Sequence, residues 1–80
     1  MYDRRLDAIV AAAELGSFSK AAEKLNISTP ALVKQVTTFE REHGLTLFAR
    51  SHTGVHATEA GESIVEDAHK IIAESSAALW

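Results

Sequence analysis

Short hydroxyl side chains and scattered cations gather in one stretch of this chain, and their chemistry is the capture of phosphate oxygens and base edges. Ser17, Ser19 and Lys20 stand at the head of one short segment. Ser28, Thr29, Pro30, Val33, Lys34, Thr37 and Thr38 lie on the next, and Arg50, His52, Thr53 and His56 surround a later turn. Hydroxyls and backbone N–H groups at helix starts hold phosphate, while short side chains on a helix can reach base edges in a groove. Other chemistry is poorly served. The sequence has no G-x-S-x-G, H-E-x-x-H, phosphate-loop or dinucleotide fingerprint, so an enzyme is not expected. The acidic pairs Glu40/Glu42 and Glu66/Asp67 read as solvated helix positions. His52 and His56 are close in sequence, but with no cysteine and no third ligand a zinc site is not expected, nor is any cofactor.

Those residues need elements to position them, and composition bounds what is available. Eighty residues make one small domain with a thin core. Hydrophobic residues are 46% and charged residues 24%, the balance of a globular chain. No cysteine means no disulfide, and neither a signal peptide nor a membrane span is expected, so the default is a cytoplasmic protein. The net charge of -3 hides an asymmetry. Residues 17–58 carry an excess of two positive charges and also His43, His52 and His56, whereas residues 59–80 carry an excess of four negative ones. The middle can face phosphate; the tail cannot.

Hydrophobic spacing predicts a first helix over about Asp3–Leu15, with Leu6, Ile9, Val10 and Ala13 inward, charges on the other face and Gly16 as its cap. A short second helix should start with Ser19 as N-cap and stop at Asn26, held by Phe18, Ala22 and Leu25. A third should run from Ser28 to His43, with Pro30 tolerated in its first turn and Gly44 closing it. Its buried stripe is Leu32, Val36 and Phe39. From Leu45 to Thr58 the pattern changes to two short strands around Ser51–Gly54. Thr58 then caps a long last helix in which Ile64, Ala68, Ile71, Ser75 and Ala78 recur, flanked by Val65, Ile72 and Leu79. Such a helix has more apolar face than so small a domain can cover, and part of it should pack on another chain.

The second and third helices form a helix-turn-helix pattern over about 18–37. Ala21 and Ala22 allow close crossing, and Asn26 and Ile27 make the turn. At 100° per residue, Pro30, Lys34 and Thr37 point away from the buried stripe, with Thr29 and Val33 at one edge and Thr38 at the other. No acid stands on that side to repel phosphate. Each residue also has a plainer reading. Val33 can be a tolerated surface valine, Lys34 a solvated lysine, and Ser19 a cap alone; Thr37 and Thr38 are evenly balanced. Gln35 reads as structural, and Phe18, Phe39 and Phe48 read as core.

The run GSFSKAAEKLNISTPALVKQVTTFEREHGLTLFARSHTGVHATEAG resembles the N-terminal winged helix-turn-helix domain of LysR-type bacterial transcription regulators. The marks are Gly16, Ser17, Phe18, Ala21, Ala22, Leu25, Ser28, Pro30, Ala31, Leu32, Gln35, Val36, Glu40, Gly44, Leu47, Phe48, Arg50, Thr58, Glu59, Ala60 and Gly61 in one register. The resemblance implies a mainly α fold: three helices plus a small β-hairpin wing over residues 1–58 (wing about 46–58), then a linker and dimerisation helix over 59–80. It implies sequence-specific binding of double-stranded DNA at an operator, with Ser28, Thr29 and Pro30 opening the recognition helix and Val33, Lys34 and Thr37 on its reading face. It also implies a homodimer, with a tetramer in the longer protein, and a C-terminal domain that would bind a small-molecule effector. The chain is therefore expected to be part of a longer bacterial protein working on the nucleoid. Dimer contacts are expected from Ile64, Ala68, Ile71, Ile72, Ser75 and Leu79. Family members often carry Gln at the position of Thr29, Ser at that of Val33, and an arginine-rich wing; here the wing keeps Arg50 as its one fixed charge. Protonation of His52 and His56 beside phosphate should tighten binding at pH 6 relative to pH 8. The alternative is a winged-helix protein-interaction module that does not touch DNA.

Overall fold

The first helix, α1 (Arg5–Leu15), is the central post of the structure. Leu6, Ala8, Ile9, Val10, Ala11 and Ala12 are all buried, so the helix is covered on nearly every side rather than along one stripe. Between Leu6 and Ala12 the expected charged outer face is therefore narrowed to half-buried Asp7. The reason is the alanines: side chains this small let α2 (Phe18–Leu25), α3 (Thr29–His43) and α4 (Glu59–Ala77) all approach the same post. The computed structural model describes residues 3–77, with side chains described as far as Lys70.

The helix ends follow local chemistry. Gly16, Asn26 and Gly44 each close a helix in the left-handed conformation. Ser28 caps α3, its Oγ accepting from the Ala31 N–H at 3.2 Å, with Pro30 in the first turn. The cap of α2 is Ser17, not Ser19: Ser17 is extended and its Oγ accepts from the Lys20 N–H at 3.2 Å. Starting the helix at Phe18 turns its ring edge-on to Phe48, with centroids 5.7 Å apart, and that distant contact decides between two equally good capping serines.

The wing is a two-stranded antiparallel hairpin, β1 (Phe48–Ser51) and β2 (Gly54–Ala57), closed by His52 and Thr53. Register pairs Phe48 with Ala57 and Arg50 with Val55, so Arg50 shares the inner face with buried Phe48 and Val55. The Val55 N–H donates to the Gly16 carbonyl at 3.0 Å, which ties the wing to the α1–α2 turn. Gly54 lies against that carbonyl with φ +121°, a conformation and a clearance that only glycine meets.

Thr58 joins wing to α4. Its Oγ1 accepts from the Gly61 N–H at 3.1 Å and donates to the Thr46 carbonyl, while its N–H donates to the Leu47 carbonyl at 2.8 Å. Ala68 is fully buried in the same core as α1, and Ile64 packs against that core. Ala68 is thus taken up by the chain's own core, a correction to the expected dimer face, and Ile64 packs on that core as well. Ile71, Ile72, Ser75 and Leu79 lie outside the residues whose side chains are described. No helix among the described residues is long and apolar enough to cross a membrane.

Candidate nucleic-acid interface

On α3 the buried and open sides separate as the spacing predicts, except that Thr37, expected on the open side, is half-buried. Leu32, Val36 and Phe39 enter the core, and removing a side chain such as Leu32 should cost about 2–5 kcal/mol. Pro30 and Lys34 are exposed, while Thr29, Val33, Thr37 and Thr38 are half-buried along the margins. The Thr37 hydroxyl donates back to the helix, to the Val33 carbonyl at 2.9 Å and the Lys34 carbonyl at 3.3 Å. Its proton is therefore spent, leaving an acceptor oxygen and a methyl group.

A second cluster forms where the wing meets the start of α2. The Arg50 guanidinium lies 5.0 Å from the Phe18 ring centroid, a cation–π contact that places the wing's fixed charge beside the α2 N-terminus. At the wing tip, Thr53 Oγ1 lies 2.9 Å from both Ser51 Oγ and His56 Nε2, so His56 is tied to the turn. Ser17, Lys20, His52, Thr53 and His56 line one open groove. Its far wall is acidic, with Glu14 from α1 and Glu62 and Glu66 from α4 standing beside His69. The α3 residues lie outside this groove, so the residues singled out by sequence fall into two groups, the reading side of α3 and the wing with the head of α2. Among the described residues no three potential ligands are placed to hold a metal ion.

A family profile described as "Bacterial regulatory helix-turn-helix protein, lysR family" matches residues 4–62. The chain belongs to the LysR family. It is 49% identical over 76 residues to the HTH-type transcriptional regulator BudR of Klebsiella aerogenes, covering 95% of this chain and 53% of that protein. It is 41% identical over 70 residues to the regulator TfdT of Cupriavidus pinatubonensis, covering 88% of this chain and 31% of the other. The chain thus spans about half or less of these curated relatives. Among solved structures, that of the CbnR DNA-binding domain in complex with DNA superposes with a TM-score of 0.89 at 35% identity, over 98% of this chain and 90% of the other. The BenM domain with benA site 1 DNA gives 0.91 at 34%, over 99% and 89%.

This LysR-family chain also carries site-supporting residues whose contacts the sequence did not reveal. Glu40, read as solvated, turns inward: its Oε2 accepts from the Leu47 N–H at 2.7 Å and fixes where the chain leaves α3 for the wing. Its place at the margin of the buried stripe was the available signal. Arg5 bridges Asp3 (2.7 Å) and Glu42, and its guanidinium lies 5.2 Å from the Phe39 centroid. The hydrogen bond from Arg5 holds the Asp3 carboxyl below its ordinary value, and Asp3, then Glu42, raises the Arg5 guanidinium in turn. His43 stacks on the same Phe39 ring, with centroids 4.1 Å apart. His69 Nε2 lies 3.2 Å from Glu14 Oε1, linking α4 to the end of α1.

Proposed function

We propose that this chain binds double-stranded DNA as the N-terminal part of a bacterial transcription regulator. In that reading α3 enters the major groove by its first turns. Ser17, Ser19 and Lys20 at the head of α2, and Arg50, His52, Thr53 and His56 of the wing, meet the phosphate backbone. The observation that carries the reading is the open side of α3: Pro30 and Lys34 face solvent opposite a fully engaged core stripe. Two of its structural relatives, CbnR and BenM, are seen with DNA through the corresponding domain, which favours DNA over a protein-only module. The acidic α4 does not suit phosphate. It serves instead to pair two copies, through the part of the helix beyond Ala68, and a two-fold pair would set the spacing of two half-sites. The complete protein would form a dimer or tetramer in the bacterial cytoplasm and answer to a small effector held elsewhere in it.

Fluorescence anisotropy with a random-sequence 30-base-pair duplex, titrated at several salt concentrations, tests the first step. Affinity should fall with salt at a log–log slope of about -0.9 per phosphate contacted. Absence of any binding at 50 mM salt would overturn the reading in favour of a protein-interaction module.

A further inference from the structure

The geometry points to α3 discriminating its DNA by the 5-methyl groups of thymine. This rests on the DNA-binding reading above and goes beyond it. Thr29, Val33 and Thr37 follow one another at intervals of four, a single row that runs from one margin onto the open side, and each carries at least one methyl group. Pro30, beside them, adds an apolar ring. The hydrogen bonds that usually discriminate bases come from bidentate Arg, Lys, Asn or Gln, or from an acid accepting from cytosine. That row has none of these. The one amide on α3, Gln35, lines a separate recess with Arg4, Asp7, Leu25 and Ile27. Arg41 lies seven residues beyond Lys34, in the last turn of α3 and about 10 Å further along the axis, away from the end that would enter the groove. Thr37 has already given its proton to the helix. What remains is Lys34, with a flexible point charge, the Ser28, Thr29 and Thr38 hydroxyls, and the methyl row. The one base-pair feature that rewards a methyl row in the major groove is the thymine methyl.

The test uses duplexes enriched by this chain from a random 30-base-pair pool, resynthesised with deoxyuridine in place of thymidine. Pairing and the O4 acceptor are unchanged, and only the methyl is lost. Each contacted methyl should weaken binding about fourfold, so two per half-site give more than tenfold. Val33→Ala and Thr37→Ser should each shrink that ratio, while Lys34→Ala should weaken both duplexes and leave the ratio unchanged. Equal affinity for thymidine and deoxyuridine duplexes, or a ratio untouched by Val33→Ala, overturns the methyl reading while leaving DNA binding standing. Failure to enrich or bind any duplex at 50 mM salt overturns both.

Discussion

Replacing Gly61 by alanine should destabilise the domain, although helix propensity alone argues the opposite. Gly61 sits in the first turn of α4, where alanine for glycine ordinarily gains up to about 1 kcal/mol. A Cβ placed there would run into the Leu47 carbonyl oxygen, lie 3.1 Å from the Leu47 carbonyl carbon and stand 3.3 Å from Ala57 Cβ. The obstacle is backbone of the segment entering the wing, so no side chain can swing aside. That same carbonyl accepts the Thr58 N–H at 2.8 Å, and displacing it strains the α4 cap as well. Overpacking of this kind costs about 1–3 kcal/mol, and a weakened hydrogen bond adds about 1 kcal/mol. Against the propensity gain, the net loss should be about 1–3 kcal/mol, or roughly 5–20 °C in Tm for a domain of this size. Urea and thermal unfolding followed by circular dichroism measure it directly. A Gly61→Ala variant as stable as the parent, or more so, would refute the close packing of α4 on the wing.

Further outcomes follow from other contacts. Glu40→Ala leaves the Leu47 N–H without its acceptor and should cost about 1–3 kcal/mol in urea melts, whereas Glu40→Gln, which keeps a carbonyl oxygen, should lose clearly less. Because Arg5 holds the Asp3 carboxyl below 3.8, the ionised pair stabilises the fold above that pH. The stability gap between parent and Asp3→Asn should therefore be present at neutral pH and close as pH falls below 3.8; a gap that stays constant into acid would contradict it. Lys34→Ala should weaken binding to all duplexes alike and lower the salt slope by about 0.9 if the amine meets a phosphate, as anisotropy at two salt concentrations will show. Ile71→Asp combined with Ile72→Asp should yield monomers by light scattering, and a surviving dimer would remove α4 from the pairing role.

How far the sequence could be read depended on whether a residue's partner was near in the chain. The stripe Leu32, Val36 and Phe39, the Ser28, Gly44 and Thr58 caps and the turn at His52 and Thr53 are set by neighbours within a few residues, and all were legible. Ser17 and Ser19 were indistinguishable locally, because Phe48, 30 residues downstream of Phe18, settles which one caps α2. In α1 the alanines offer too little contrast between faces for periodicity to reveal burial all round. Ala68 reads as a helix-packing residue, which it is, but sequence cannot say whether the opposing helix belongs to the same chain; here it packs into the core that α1 centres. Glu40 looked solvated because charge is a weak guide where a backbone N–H waits seven residues on.

The open side of α3 owes almost nothing to the stability of the molecule that displays it. Pro30 and Lys34 touch solvent, and the weight of holding the helix falls on Leu32, Val36 and Phe39 behind them. Mutation can therefore rewrite the address without rebuilding the envelope. Descendants of one such domain can drift to new chromosomal destinations through a handful of changes, each accepted or rejected on recognition alone.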